Sequence, residues 1–245
     1  MDNEDMIKLH QGQRWRNLPN LSPPCVKLET WLRMAAIPYE SAPPDLAEAP
    51  KGKVPFIEDA GMKIGDSTLI VEHFKRTYGK DLDVGLRPEE REISLAFRRM
   101  LKENTYWVFI YGLYVDPRTS PVWKEILAEV VAILGINSRN VFEAWYEQYI
   151  SNYKAQIHGH GMGRHTAEEV YQIGIADLAA VADFLGDKPF FMGETPTTAD
   201  AAVYAYTTTL LEIPLETPVR AYGLGRDNLV RYCQRMRERF YPELA

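Results

Sequence analysis

Five short stretches of this chain carry side chains able to do chemistry, and each also has a plain structural role. In Ser22-Pro23-Pro24-Cys25 a hydroxyl and a thiol stand three residues apart at the predicted start of a helix. The Ser22 hydroxyl can cap that helix, or donate to an anion held at its positive end. The Cys25 thiol can be acidified by the same helix end and attack a disulfide. It also shares an apolar stripe with Leu28 and Leu32, where a thiol acts as a small hydrophobe. Val54-Pro55 opens a strand; with the bond cis, Val54 is left to pair with an extended peptide ligand. Asp66-Ser67 begins another helix, suited either to capping or to holding a carboxylate on its amides and an ammonium on Asp66. Lys53 could meet a second carboxylate, or simply be solvated. His158, His160 and His165 match no common metal-ligand spacing.

The elements that position these residues follow from patterning. Ile7–His10 and Tyr39–Ala42 read as short strands, joined through a helix beginning at Ser22-Pro23 and ended by Pro38. Cys25, Leu28, Leu32 and Ala35 form its apolar stripe, with Glu29 and Arg33 as an i,i+4 ion pair on the other side. Val54–Glu58 and Met62–Gly65 flank Asp59-Ala60-Gly61, predicted as a three-residue hairpin connection. A helix from Thr68 to Tyr78 stops at Gly79. From Pro88 onward strand signals vanish. One helical face runs through Ile93, Phe97, Met100, Leu101 and Asn104 towards Trp107 and Tyr111. A second helix opens at Ser120-Pro121, with Leu134 as its last apolar residue before Gly135; a third carries Val141, Phe142, Trp145 and Tyr149. A Gly-rich break is expected over His158–His165. Thr166-Ala167-Glu168-Glu169 has capping-box spacing, and Thr197-Thr198-Ala199-Asp200 repeats it with Asp. The last helix holds Leu229, Tyr232, Cys233, Met236 and Phe240.

The expected fold class is therefore α/β plus all-α: a βαβ–ββα half with a mixed four-stranded sheet over residues 1–82, then helices over 83–245, joined through Lys80–Arg87. A net charge of −6 argues against nucleic-acid binding. No apolar run is long enough for a membrane span, and Met1–Lys8 lacks the character of a secretion signal. With only Cys25 and Cys233 there is no disulfide framework, and a cytoplasmic protein is expected.

Three segments resemble the glutathione S-transferase superfamily: Ser22–Lys27; Lys53-Val54-Pro55-Phe56-Ile57 with Ile64-Gly65-Asp66-Ser67; and Phe191-Met192-Gly193 with Thr197–Asp200. The stretch Ser22–Met34, the absence of a second helix between Ala42 and Lys53, and Gly163-Arg164-His165 are closer still to its failed-axon-connections-like and metaxin-like branch. The resemblance implies a thioredoxin-like N-terminal domain and a helical C-terminal domain, with glutathione as co-substrate. It implies Ser22 as the hydroxyl that stabilises the thiolate, with Cys25 the rival, and Val54-Pro55 pairing with the cysteinyl unit. Asp66 and Ser67 would take the γ-glutamyl end and Lys53 the glycyl carboxylate. Trp107, Tyr111 and Tyr114 would line a pocket for a small hydrophobic electrophile or disulfide. A homodimer is the expected assembly. In this branch the same resemblance also allows a non-catalytic interaction module.

Overall fold

The computed structural model describes residues 6–133, 135 and 138–245; Leu134, expected to end a helix, and Met1–Asp5 of the N-terminal segment lie outside them. Strands β1 (Ile7–His10), β2 (Tyr39–Ala42), β3 (Phe56–Asp59) and β4 (Met62–Gly65) form one sheet in the order β2-β1-β3-β4. β1 and β2 are parallel, with Ile7 opposite Tyr39, and helix α1 (Pro23–Met34) makes the crossover. The other two pairings are antiparallel. Helix α2 (Ser67–Tyr78) follows β4, capped at its end by Gly79 in the left-handed region. Leu9, Ile57, Leu28, Trp31, Leu32, Ile70 and Phe74 fill the space between sheet and helices, each fully buried.

The β3–β4 hairpin is tighter than its residues predict. Asp59 pairs with Met62, leaving a two-residue turn of Ala60 and Gly61, both at positive φ (47° and 79°). Asp59 is held inside the ladder because its buried carboxylate accepts from Tyr78 (2.6 Å) and bonds His73 (2.5 Å) on α2.

From Pro88 every α-helix or strand among the described residues is helical. These are α3 (Pro88–Met100), α4 (Tyr106–Tyr114), α5 (Ser120–Ile133), α6 (Arg139–His160), α7 (Ala167–Leu185), α8 (Thr198–Glu212), α9 (Pro218–Leu224) and α10 (Asp227–Phe240). A five-residue π-helical turn, Leu101–Thr105, joins α3 to α4. Buried Asp177 of α7 holds it, accepting from Thr105 Oγ1 (2.6 Å) and Asn104 Nδ2 (2.9 Å). Two differences from expectation have tertiary causes. Helix α6 runs through Gly159 and ends only at Gly161 (φ 106°), because Ile157 is buried and His160 stacks on Trp107. The Glu29–Arg33 pair forms at 3.2 Å but not at the surface. Glu29 is 1% exposed and also bonds Gln11 and Tyr39, since α1 is covered by the helical half as well as by the sheet.

The two halves share their cores. Ala201 of α8 belongs to the sheet cluster, Trp31 Nε1 donates to Thr198 Oγ1, and Thr30 bonds the Tyr241 hydroxyl at 2.8 Å. No described helix is long and apolar enough to cross a membrane.

Candidate functional site

Two cavities open between the sheet half and the helical half, one against α4 and α8 and the other against α4, α5 and α6. A polar one of about 220 Å³ is lined by Lys53, Val54, Pro55, Asp66 and Ser67, facing Lys102, Glu103, Tyr106, Trp107 and Tyr206. An aromatic one of about 310 Å³ includes Ser22, Val54, Tyr106, Tyr114, Trp123, Trp145, Tyr149 and Tyr153 in its lining. Val54 and Tyr106 line both, so the two are neighbours along one cleft.

At the start of α1, Ser22 has extended backbone (φ −97°, ψ 116°), yet its hydroxyl makes no capping bond. The sequence explains this. A capping oxygen seeks the amides two or three residues into the helix. Pro24 has no N–H, and the Cys25 N–H already donates to the Ser22 carbonyl at 3.0 Å. The Ser22 amide is anchored on Asn20 Oδ1 (3.0 Å), and Asn20 in turn donates to the Gly12 carbonyl (2.7 Å). A half-buried hydroxyl is thus left at a helix N-terminus on the wall of a cavity. Cys25 is different: it is fully buried, with the Ser22 hydroxyl and the Gly12 backbone beside its sulfur. Burial pushes its thiol up to about 12, outweighing both hydrogen bonds. Such a thiol is protonated at neutral pH and reaches no ligand, which leaves Cys25 its packing role.

The Val54–Pro55 bond is cis. Val54 stands just outside the β1–β3 pairing, half-buried, and makes no backbone hydrogen bond among the described residues. Its peptide groups are available to an extended ligand lying along the cleft.

At α2, Asp66 sits at positive φ (80°) as the N-cap. One carboxylate oxygen accepts from the Thr68 (2.8 Å) and Leu69 (3.3 Å) amides, and the other from Lys102 Nζ (3.1 Å). Burial works to raise this carboxyl, but the Lys102 bond and the two amides prevail and hold it below the usual range. Asp66 thus fulfils the capping role expected of it and takes the amides of Thr68 and Leu69. What remains for a ligand is Ser67, buried, on the cavity wall and with no hydrogen bond to its hydroxyl among the described residues.

Lys53 is exposed at the rim, donating to Gln156 Oε1 of α6 at 2.7 Å. Trp107 lines the polar cavity and Tyr114 the aromatic one, whereas Tyr111 turns into the helical core against Tyr171. The three histidines are not brought together: His160 stacks on Trp107 and His165 pairs with Glu169 (3.5 Å).

Sequence reasoning missed the wall opposite the sheet: Lys102, Glu103, Tyr106, Tyr149, Tyr153 and Tyr206. A π-helical turn carries the first two and has no clear sequence signature, although such turns favour functional sites. The Tyr149 and Tyr153 spacing on α6 was the available signal. Tyr114 donates to Tyr149 (3.2 Å), and Tyr153 bonds both Tyr149 and Tyr106. Burial raises the Tyr106, Tyr114 and Tyr153 phenols, so all three stay protonated donors.

Residues 23–119 match the model of the glutathione S-transferase N-terminal domain, and residues 174–236 that of its C-terminal domain. Failed axon connections of Drosophila melanogaster is 33% identical over 98% of this chain; the chain spans 59% of that relative's length. Isoprene-epoxide–glutathione S-transferase of a Rhodococcus strain is 30% identical over 91% of this chain and 94% of its own. Metaxin-1 of Mus musculus is 26% identical over 80% of this chain and 62% of its own. Among solved structures, a glutathione transferase family member from Pseudomonas fluorescens with two glutathiones bound superposes with a TM-score of 0.62. At 14% identity it covers all of this chain and 94% of its own, a likeness of fold.

Proposed function

The chain belongs to the glutathione S-transferase superfamily, in its metaxin-like branch, and from that premise we propose that it binds glutathione in the polar cavity and adds its thiolate to a small hydrophobic electrophile in the aromatic one. The observation that carries this is the pair of adjoining cavities sharing Val54 and Tyr106, with the Ser22 hydroxyl, which caps no helix amide, on the wall of the aromatic one. A free thiol of ordinary pKa is mostly protonated at neutral pH. A hydroxyl donor at a helix N-terminus favours the thiolate and leaves it nucleophilic. In this reading Val54 pairs with the cysteinyl unit, Ser67 holds the γ-glutamyl carboxylate, Asp66 receives the ammonium in exchange for Lys102, and Lys53 meets the glycyl end. The sulfur forms a bond to carbon while the carbon–leaving-group bond breaks. With an epoxide, the ring oxygen leaves as alkoxide and takes a proton from a phenol of the wall, which regains one from solvent in place of the thiol proton released when the thiolate formed. Epoxides are the first class to try, because the relative of matching length is named for one. The buried Cys25 favours addition over thiol–disulfide exchange.

One observation favours the alternative, a module that binds without turnover. Asp66 is already satisfied by Lys102 and two amides, so a ligand must displace a formed ion pair. Calorimetric titration with glutathione beside a conjugation screen over epoxides and aryl halides separates the readings. Saturable binding with turnover supports the transferase, binding alone supports the module, and no binding rejects the glutathione site. A division into domains 1–82 and 83–245, a cytoplasmic location and a homodimer belong to the same proposal. Light scattering tests the homodimer.

A further inference from the structure

Behind Asp66 a third cavity, of about 240 Å³, opens between α1, α2 and α3, lined in part by Lys27, Asp66, Thr68, Arg98, Arg99 and Lys102. Four of these six are cationic and one is a carboxylate. That carboxylate pairs with Lys102 at 3.1 Å, and no other carboxylate lies within ion-pair distance of Lys27, Arg98 or Arg99 among the described residues. Lys27 is the unusual member. It is 5% exposed, and its ammonium makes one hydrogen bond, to Thr68 Oγ1 at 2.9 Å. A buried ammonium without an anion is costly and is rarely kept in a core. Arg98, half-buried on the same cavity, has its Nε–H buried with no hydrogen-bond partner among the described residues. An ammonium with a single hydroxyl partner and a guanidinium N–H with none among the described residues, from different helices, thus border one cavity. This stands against a chain of net charge −6.

We propose that this cavity is a binding site for the phosphoryl dianion of a small free phosphomonoester. A carboxylate brings one charge to three uncompensated cations, whereas a phosphoryl group brings nearly two and three acceptor oxygens. The volume leaves room for a few carbon atoms beyond the phosphorus. The acidic chain as a whole disfavours an anionic membrane as the source. The site does not depend on the glutathione reading, since its lining shares only Asp66 and Lys102 with the polar cavity.

The charge state of Lys27 gives an independent readout. Burial pushes its ammonium down to about 7; Asp66 opposes this, Lys102 and Arg98 add to it, and Glu103 opposes it. A bound dianion favours the protonated form, so binding near pH 8 takes up protons.

The test is calorimetry of inorganic phosphate and glycerol 3-phosphate against the full chain, without glutathione, in two buffers of different ionisation heat. The expected result is one site per chain with net proton uptake. Lys27→Met and Arg98→Gln should each weaken binding about tenfold or more, as loss of a charge-assisted bond implies, while Arg139→Gln leaves it unchanged. Lys27→Met also abolishes the proton uptake. Arg98→Gln alters a half-buried residue, so it remains informative should the buried substitution misfold. The proposal is overturned by the absence of saturable binding up to about 10 mM, or by equal affinity in both variants. One-for-one displacement of phosphate by glutathione overturns it too, by merging the two sites. So does binding only to phosphatidate vesicles and to neither free phosphate.

Discussion

The N-termini of α1 and α2 face the cleft; those of α7 and α8 do not, and the contrast separates a binding helix start from a structural one. At α7, Thr166 and Glu169 satisfy each other's amides in a reciprocal box. At α8, buried Asp200 accepts from the amides of Phe191 (2.7 Å) and Thr197 (2.8 Å) and from the Tyr232 hydroxyl (2.9 Å). In both, the side chain that could do chemistry is saturated by its own protein. At α1 two prolines and a backbone bond remove the targets of the Ser22 hydroxyl. At α2 the preceding Asp66 takes the amides and leaves Ser67 unengaged. A serine becomes available where something else has already completed the helix start.

The comparison is sharpest where a saturated cap is cut. Asp200→Ala strands two buried amides and a phenol, and should cost about 3 kcal/mol or more of stability, read from urea unfolding. A loss below about 1 kcal/mol would mean that the α8 start is not the satisfied structural cap described. Ser67→Ala should behave oppositely. The fold stays intact, while glutathione affinity falls about ten- to over a hundredfold through loss of a hydrogen bond to a carboxylate. An unchanged titration would place glutathione elsewhere.

Ser22→Ala should leave stability within about 0.5 kcal/mol, because no capping bond is lost. It should raise the pKa of bound glutathione by about one unit, read from thiolate absorbance against pH. A stability loss of about 1 kcal/mol with an unmoved thiol pKa would make Ser22 an ordinary cap. The smallest effect on chemistry is expected for Cys25→Ala, which leaves that pKa unmoved and costs about 1–2 kcal/mol through a small cavity. The native thiol, pushed up to about 12, should also react slowly with a disulfide probe at neutral pH. Rapid modification would reverse the ranking of the two residues and favour an exchange enzyme.

What the sequence by itself determined is what depends on neighbours along the chain. Strand and helix periods placed β1, β2, β4, α1 and the helical half; Gly79 marked a helix end, and Thr166 with Glu169 a helix start. The turn at Val54-Pro55 and the helix start at Asp66-Ser67 were legible for the same reason, since each is formed by neighbours along the chain, and both line the candidate site. Only the tertiary structure decided which of these groups are free. Whether a helix face is solvated depends on what packs on it, so Glu29 became buried while Ile93 and Val141, read as inward, remained exposed. The π-helical turn that sets Lys102 on Asp66 is held by Asp177, 73 residues beyond Asn104. The phenol wall assembles from α4 and α6, and Lys27 of α1 and Arg98 of α3 come to line one cavity. Hydrogen-bond satisfaction is a property of the assembled neighbourhood: the prolines after Ser22 could announce its missing partner amide, but no spacing along the chain could announce that Lys102 would join two amides on Asp66.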